Sequence, residues 1–380
     1  MNYFPAKCSD STVCCHYADY KIILLLVRMN QIKKTPKLGY TTGTCAQAAA
    51  KGAVLMLAGR RIIKKVNIET PSSKRLNLKL IEQKIGKNFA SCAVVKDSGD
   101  DPDVTDGIKI FAKVRYCDGK NIIIRGGRGI GKVTKPGLAV KIGESAINPV
   151  PIKMITRELL PFLPQDKGIE AIISAPEGAR IAKQTFNSNL GIFGGISIIG
   201  TTGIVEPKST SAYQRSLSLQ LNVLTASRYT DVVLILGYVG EQYCKNKSLD
   251  KNLIIKIGDH VGYMLKECAQ KKIKRVLLAG HIGKLIKIAN GQFDTNIKYG
   301  DNRVETIGRF ARNCGAGKEV IARILKQKTA EATIDILREN NLSGVFHEIA
   351  KKVMAQMNKL TKGKLACRCA LLSLKSEELL

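Results

Sequence analysis

The sequence predicts two architectures in one chain, an α+β mixed-sheet domain followed by a doubly wound, Rossmann-like α/β domain. Three observations carry this. The chain has 380 residues, 44% hydrophobic and 24% charged, which suits globular folding and is long enough for two full cores. In the first half, one Ala-rich helical stretch is followed by β-branched runs separated by turns. Beyond Pro207, buried apolar runs alternate with helical patterns, as expected of parallel strands joined by helical crossovers. The domains are set at 31–205 and 206–380.

Residues 1–30 stand apart. Ile22 to Val27 is an apolar run too short to span a bilayer, and it lacks the flanks of a signal peptide. Met29 opens a natural start, so 1–30 reads as a dispensable or mis-called extension. A helix is predicted from Thr44 to Ala58, with Thr44 as N-cap and Gly59 as its stop. Strands follow at Val66 to Glu69, Leu76 to Ile81, Ala90 to Val95, Ile108 to Arg115 and Ile122 to Arg125. In the second half, Ser209 to Ser227 is helical. Asp231 to Leu236, Leu253 to Ile257 and Arg275 to Ala279 are strands, with helices at Asp259 to Gln270 and Ile282 to Ala289. Helices fill most of Arg303 to Leu360, and Lys364 to Leu372 returns as a strand. Ligands of such sheets bind at the carboxyl ends of strands, which marks the turns after Leu236 and after Ala279.

The net charge of +30 permits an anionic partner, and solvated basic faces account for it equally well. A basic nucleic-acid- or polyanion-binding protein without catalysis is the alternative reading; against it, aromatics are only 5% with no Trp, so stacking platforms are scarce. The 11 Cys, odd in number and irregularly spaced, suit reduced thiols in the cytoplasm and form no metal-binding pattern with the four His. A homo-oligomer stays open.

Gly-rich strings hold the chemistry. GGRGIGKV (from Gly126) approaches a phosphate-binding P-loop, but Val133 replaces the required hydroxyl residue and Pro136 opposes the helix that should follow. GDDPDVTDG (from Gly99) bears four carboxylates that can bind a cation, hold backbone amides in turns or orient a base. Gly39 to Ala50 is a small-residue loop entering a helix, whose amides and threonine hydroxyls suit a carboxylate or phosphate. His281, at a strand-to-helix turn, is a candidate base or a structural histidine; His260 is a weaker candidate.

Six strings taken in order resemble the cobalt-precorrin-5B C1-methyltransferase family of anaerobic cobalamin biosynthesis: GYTTGTCAQAAAKGA from Gly39, KDSGDDPDVTDG from Lys96, GGRGIGKVTKPGL from Gly126, GESAINPVP from Gly143, LGIFGGISIIGTTGIVEP from Leu190 and GHIGKLIKIANG from Gly280. The resemblance implies methyl transfer from S-adenosylmethionine to C1 of cobalt-precorrin-5B, giving cobalt-precorrin-6A. It implies a small polyanionic tetrapyrrole as partner, no nucleic acid, no membrane, and cobalt only as part of the substrate. The chain departs from the family at Asp106 and Asn296, where histidine is frequent, so neither histidine is obligatory here. Within this reading, Gly194, Gly195, Gly200, Thr201, Thr202 and Gly203 approach the methyl donor or the macrocycle. Asp100 and Asp103 hold the donor's amino or ribose groups. Thr41, Thr42, Lys132 and Lys135 meet substrate carboxylates. A general base is optional, with His281 first and Asp103 second.

Overall fold

The computed structural model describes residues 36–207 and 209–380. The extension over 1–30 lies outside the described residues. The first half contains β1 (Gly39–Tyr40), α1 (Thr42–Gly59), β2 (Lys65–Glu69), β3 (Arg75–Lys79), β4 (Ile81–Ile85), β5 (Phe89–Val95), β6 (Lys109–Cys117), β7 (Ile122–Gly126), β8 (Lys132–Val133), α2 (Pro149–Leu159), β9 (Gly168–Ser174), α3 (Gly178–Ile181), β10 (Ile192–Phe193) and β11 (Ile204–Val205). Its main sheet has the order β4-β5-β6-β9-β7, antiparallel except for the β7–β9 pair. Helix α1 lies on β5 and β6 and supplies Ala46, Ala49, Ala50, Ala53 and Val54 to one core with Ile110, Ala112, Ile169 and Ile173. Small side chains let this helix sit close to the sheet.

The second half contains α4 (Thr210–Ala226), β12 (Asp231–Leu236), α5 (Gly237–Asn246), β13 (Ile254–Lys256), α6 (Val261–Gln270), β14 (Arg275–His281), α7 (Ile282–Ala289), α8 (Arg303–Asn313), α9 (Lys318–Leu325), α10 (Ala332–Glu339), α11 (Gly344–Thr361) and β15 (Ala366–Leu372). Its sheet is wholly parallel, in the order β13-β12-β14-β15. Alternate residues of β12 serve two cores: Val232, Leu234 and Leu236 face α4, α6, α7 and α11, while Val233 and Ile235 face Tyr243 and Cys244 of α5. A strand buried on both faces needs the unbroken apolar run seen here. A small fourth cluster of Val133, Val140, Ala146, Leu190 and Ile192 packs on Val223 of α4 and joins the Gly-rich strings to the second half.

The mixed α/β class follows the prediction, with several differences. The cap of α1 is Thr41, whose Oγ1 accepts the Thr44 N–H at 3.2 Å; the helix runs through Gly59 and the left-handed residue is Arg60. Thr44 is inside the helix because its hydroxyl, which donates to Gly203 O, is buried. The predicted strand Leu76 to Ile81 is two strands, β3 and β4. Helices α2 and α5 and strand β9 were not predicted, although β9 lies between β6 and β7; the segment after Leu236, expected as a turn, is the start of α5. Strand β14 extends to His281, two residues past its expected end. Five of the eight described cysteines are buried, all eight are free thiols, and no helix among the described residues is long and apolar enough to cross a membrane.

Candidate active site

The amides expected to be free at the start of α1 are taken. Gly43 N–H donates to Ile199 O at 2.9 Å and Thr44 N–H to Thr41 Oγ1. Thr42 is buried; its hydroxyl accepts the Ile199 N–H at 2.9 Å and donates to Ser197 O at 3.1 Å. This helix end is therefore a docking point for residues 197–203, and with Cys45 N–H donating to Thr41 O at 3.1 Å the amides of Gly43, Thr44 and Cys45 are all engaged within the protein. Thr41 is half-buried, with its side chain against Gly200.

The Asp-rich loop uses its carboxylates on its own backbone. Asp97 Oδ1 accepts from Gly99 N–H, Asp106 Oδ1 from Ser98 N–H, and Asp103 Oδ1 from both the N–H and the hydroxyl of Thr105. The other Asp103 oxygen accepts from the ammonium of Lys96 at 2.8 Å; Lys96 is 2% exposed. Burial alone raises the Asp103 pKa, but Lys96 and the Thr105 hydrogen bonds together outweigh it and hold the carboxyl below its ordinary range. A carboxylate so committed makes a weak base, and the geometry makes Asp103 the partner of a buried lysine. Asp100 is exposed; its Oδ2 accepts from Lys37 N–H at 2.7 Å. Among the described residues no group of three or more His, Cys, Asp or Glu is placed to hold a metal ion.

The glycines expected to approach a ligand mostly approach the protein. A Cβ on Gly195 would fall 2.1 Å from Gly129 O, one on Gly200 2.2 Å from Thr41 Oγ1, and one on Gly203 2.7 Å from Thr70 Cβ. Gly194 alone of this set has open space around its Cα (φ +83°) and follows the exposed Phe193. Thr201 is exposed; Thr202 is exposed and its hydroxyl is bonded within its own turn, to Ile204. Lys132–Val133 pairs as strand β8 with β10, so no helix follows the P-loop-like string.

At the carboxyl ends of the parallel strands, His281 caps α7. Its Nδ1 accepts the Gly283 N–H at 3.1 Å, which leaves the proton on Nε2 to be donated to Glu331 at 2.8 Å. The lone pair that a base requires is engaged, so the geometry assigns His281 to capping. His260 packs against Tyr213 with ring centroids 5.3 Å apart and the planes tilted by 45°. A polar group the sequence reading did not find surrounds Asp259, whose carboxylate accepts from Lys284, Thr295 and Asn296. Burial raises its pKa, but these donors prevail and keep the carboxyl below its usual value. Nearby Lys287, 3% exposed, donates to the carbonyls of Thr295, Asn296 and Gly300. Nothing in the apolar helical pattern of α7 distinguishes it from a surface lysine. Lys287→Met leaves three carbonyls without their donor and is expected to lower stability by about 2 kcal/mol, read as an earlier urea midpoint.

Lys135 reaches across from the Gly-rich strings to Asn252 Oδ1 at 2.9 Å. It lines a cavity of about 850 Å³ along the outer edge of β13, bounded by α4, α5 and the Ser188–Asn189 turn. This is an α/β protein with a lysine-lined cleft between its Gly-rich strings and a parallel sheet.

The chain belongs to the CbiD family. The CbiD family model matches residues 29–207, and the CbiD C-terminal domain model matches 294–380. A Thermoanaerobacter protein named cobalt-precorrin-5B C(1)-methyltransferase is 41% identical over 348 residues, covering 90% of this chain and 95% of its own. One of the same name from Moorella thermoacetica is 41% identical over 341 residues, covering 89% and 93%. A solved structure, a cobalamin biosynthesis protein (cbiD) from Archaeoglobus fulgidus, is 29% identical and covers 70% of this chain and 83% of its own, with a TM-score of 0.36.

Proposed function

We propose that this chain transfers a methyl group from S-adenosylmethionine to C1 of cobalt-precorrin-5B, giving cobalt-precorrin-6A and S-adenosylhomocysteine in cobalamin biosynthesis. The observation that carries the reading is the match to relatives of that name along nearly the whole of both chains. S-adenosylmethionine supplies an electrophilic methyl on a sulfonium: the sulfur–carbon bond breaks with its pair kept by sulfur, and the macrocycle's electron pair forms the new carbon–carbon bond. The residues then have to align two reactants and exclude water, which lowers such barriers by about 7–11 kcal/mol. The positive field of the protein favours a substrate rich in carboxylates.

The donor set suits the methyl donor at one carboxylate of the predicted pair. Asp100 is exposed and has one oxygen accepting from Lys37, so it retains an acceptor for an ammonium or a ribose hydroxyl. Gly194 and Thr201, both open, are the members of the second loop left to meet a reactant, and Thr41, Lys132 and Lys135 remain for carboxylates. The chain divides into an α+β unit over 31–205 and a Rossmann-like unit over 206–380; the separate cores and the all-parallel second sheet support this.

Anaerobic incubation of the protein with S-adenosylmethionine and cobalt-precorrin-5B, followed by mass spectrometry, is expected to show gain of one methylene unit and release of S-adenosylhomocysteine. Neither product would overturn the assignment. His281→Asn separates base from cap: asparagine retains an oxygen for the Gly283 amide, so methyl transfer is expected to stay within about threefold, whereas loss of a general base costs about 10²–10⁴-fold.

A further inference from the structure

We infer that the cavity along the outer edge of β13 binds the carboxylate-bearing rim of a tetrapyrrole, with Gln220, Lys135 and Lys251 as its recognition groups. This rests on the methyl-transfer reading for the identity of the macrocycle. The cavity itself stands on three independent observations.

The first is a buried donor without a partner. Gln220 of α4 is 6% exposed and lines the cavity. Its Oε1 accepts from Asn189 Nδ2 at 3.4 Å, while its Nε2 has no hydrogen-bond partner among the described residues. A buried amide donor left unmet costs stability, and a ligand acceptor in the cavity satisfies it.

The second is charge. The charged side chains of the wall are four lysines (Lys135, Lys245, Lys251 and Lys256) against the single carboxylate of Glu241. Glu241 is shared by Lys245 at 3.4 Å and Lys256 at 3.3 Å. Lys135 is held toward the wall by Asn252, and Lys251 is exposed with no ion pair among the described residues. A positive wall repels the sulfonium and ammonium of the methyl donor and attracts a polycarboxylate, so it sorts the two reactants.

The third is shape and lining. Between the lysines the wall is apolar, with Val223, Leu224, Leu249 and Ile254 among its residues. At about 850 Å³ the cavity has the size of an organic ligand site. An apolar floor inside a cationic rim matches a flat macrocycle whose carboxylates stand around its edge. The walls come from both halves of the chain, so the macrocycle would be gripped between the Gly-rich strings and the parallel sheet.

The test measures binding of uroporphyrin I, a fluorescent tetrapyrrole polycarboxylate, and separately of S-adenosylmethionine by calorimetry. It uses the full chain, Gln220→Leu, Lys251→Glu, and Lys318→Glu on α9 as a charge control, with urea midpoints to confirm folding. Lys251→Glu is expected to weaken uroporphyrin about tenfold and Gln220→Leu about fivefold. The control is expected to stay within about twofold, with S-adenosylmethionine affinity unmoved throughout. Equal weakening by both charge reversals would mean attraction to the basic surface alone, and parental binding by Gln220→Leu and Lys251→Glu would likewise overturn the site. The two readings fail differently. Methyl transfer with an unchanged KM in Lys251→Glu removes the cavity and leaves the reaction; cavity-dependent binding without S-adenosylhomocysteine release removes the reaction and leaves the cavity.

Discussion

Gly129→Ala is expected to leave little folded protein, with a loss above about 4 kcal/mol. The residue has φ +76°, and a Cβ there would lie 1.8 Å from Ala175 O. Neither side can retreat. Ala175 N–H donates to Arg128 O at 2.9 Å, Gly127 N–H to Ile173 O at 2.7 Å, and Ile196 N–H to Gly129 O at 3.0 Å. Gly178 and Gly195 press on the same carbonyl from two other segments, each with an imagined Cβ 2.1 Å away. Three glycines thus allow the end of β9, the string after β7 and the turn after β10 to meet backbone to backbone. Gly194→Ala is the comparison: φ is also positive, but nothing lies within 4 Å, so the cost is the left-handed conformation alone, about 1 kcal/mol. Urea unfolding of both variants checks the contrast, and similar midpoints would refute the packing account.

Asp103→Asn is expected to cost about 3–5 kcal/mol, because it leaves the ammonium of Lys96 buried without a counter-charge. The effect has a defined pH dependence. The carboxyl is held below its ordinary range in the folded protein, so its contribution is complete above the unfolded value of about 3.9 and is lost as pH falls through the folded one. The gap in stability between parent and Asp103→Asn should therefore be flat from about pH 5 to pH 8 and should close only under more acid conditions. Removing both charges in Lys96→Met/Asp103→Leu is expected to cost less than Asp103→Asn alone, since no unpaired charge stays buried. If the double variant folds and still transfers methyl, Asp103 has no part in the chemistry; if it folds and is inactive, the carboxylate does more than hold the loop.

Much of the fold was legible. The apolar runs at Asp231 to Leu236 and Arg275 to Ala279, with the helices at Asp259 to Gln270 and Ile282 to Ala289, indicated the parallel sheet, because a strand buried on both faces has no polar alternation to obscure it. Strand β9 was hidden for the related reason that Gly168–Ser174 carries Glu170 mid-run; that carboxylate is tolerated because Arg115 and Arg125 pair with it from neighbouring strands. The candidate site was less legible. Small-residue strings correctly marked where backbones come close, but a sequence does not say whether the visitor is a ligand or another stretch of the same chain; at Gly195, Gly200 and Gly203 it is the chain. Gln220, Lys251 and Asp259 gave no signal, since their meaning depends on partners 25 or more residues away or on having none among the described residues.

The buried cysteines bear on how such a protein survives its own reagent. Burial pushes the thiols of Cys45, Cys92 and Cys268 up to about 12. At neutral pH, on the order of one molecule in 10⁵ carries the nucleophilic thiolate at any such position. A protein that handles an alkylating sulfonium thereby holds these three interior sulfurs in their less nucleophilic form, so methylation at Cys45, Cys92 and Cys268 is disfavoured while they stay buried. The same protonated thiols form an internal clock: each becomes modifiable only when its surroundings open, so the order in which they take up a thiol reagent reads out which part of the molecule loosens first.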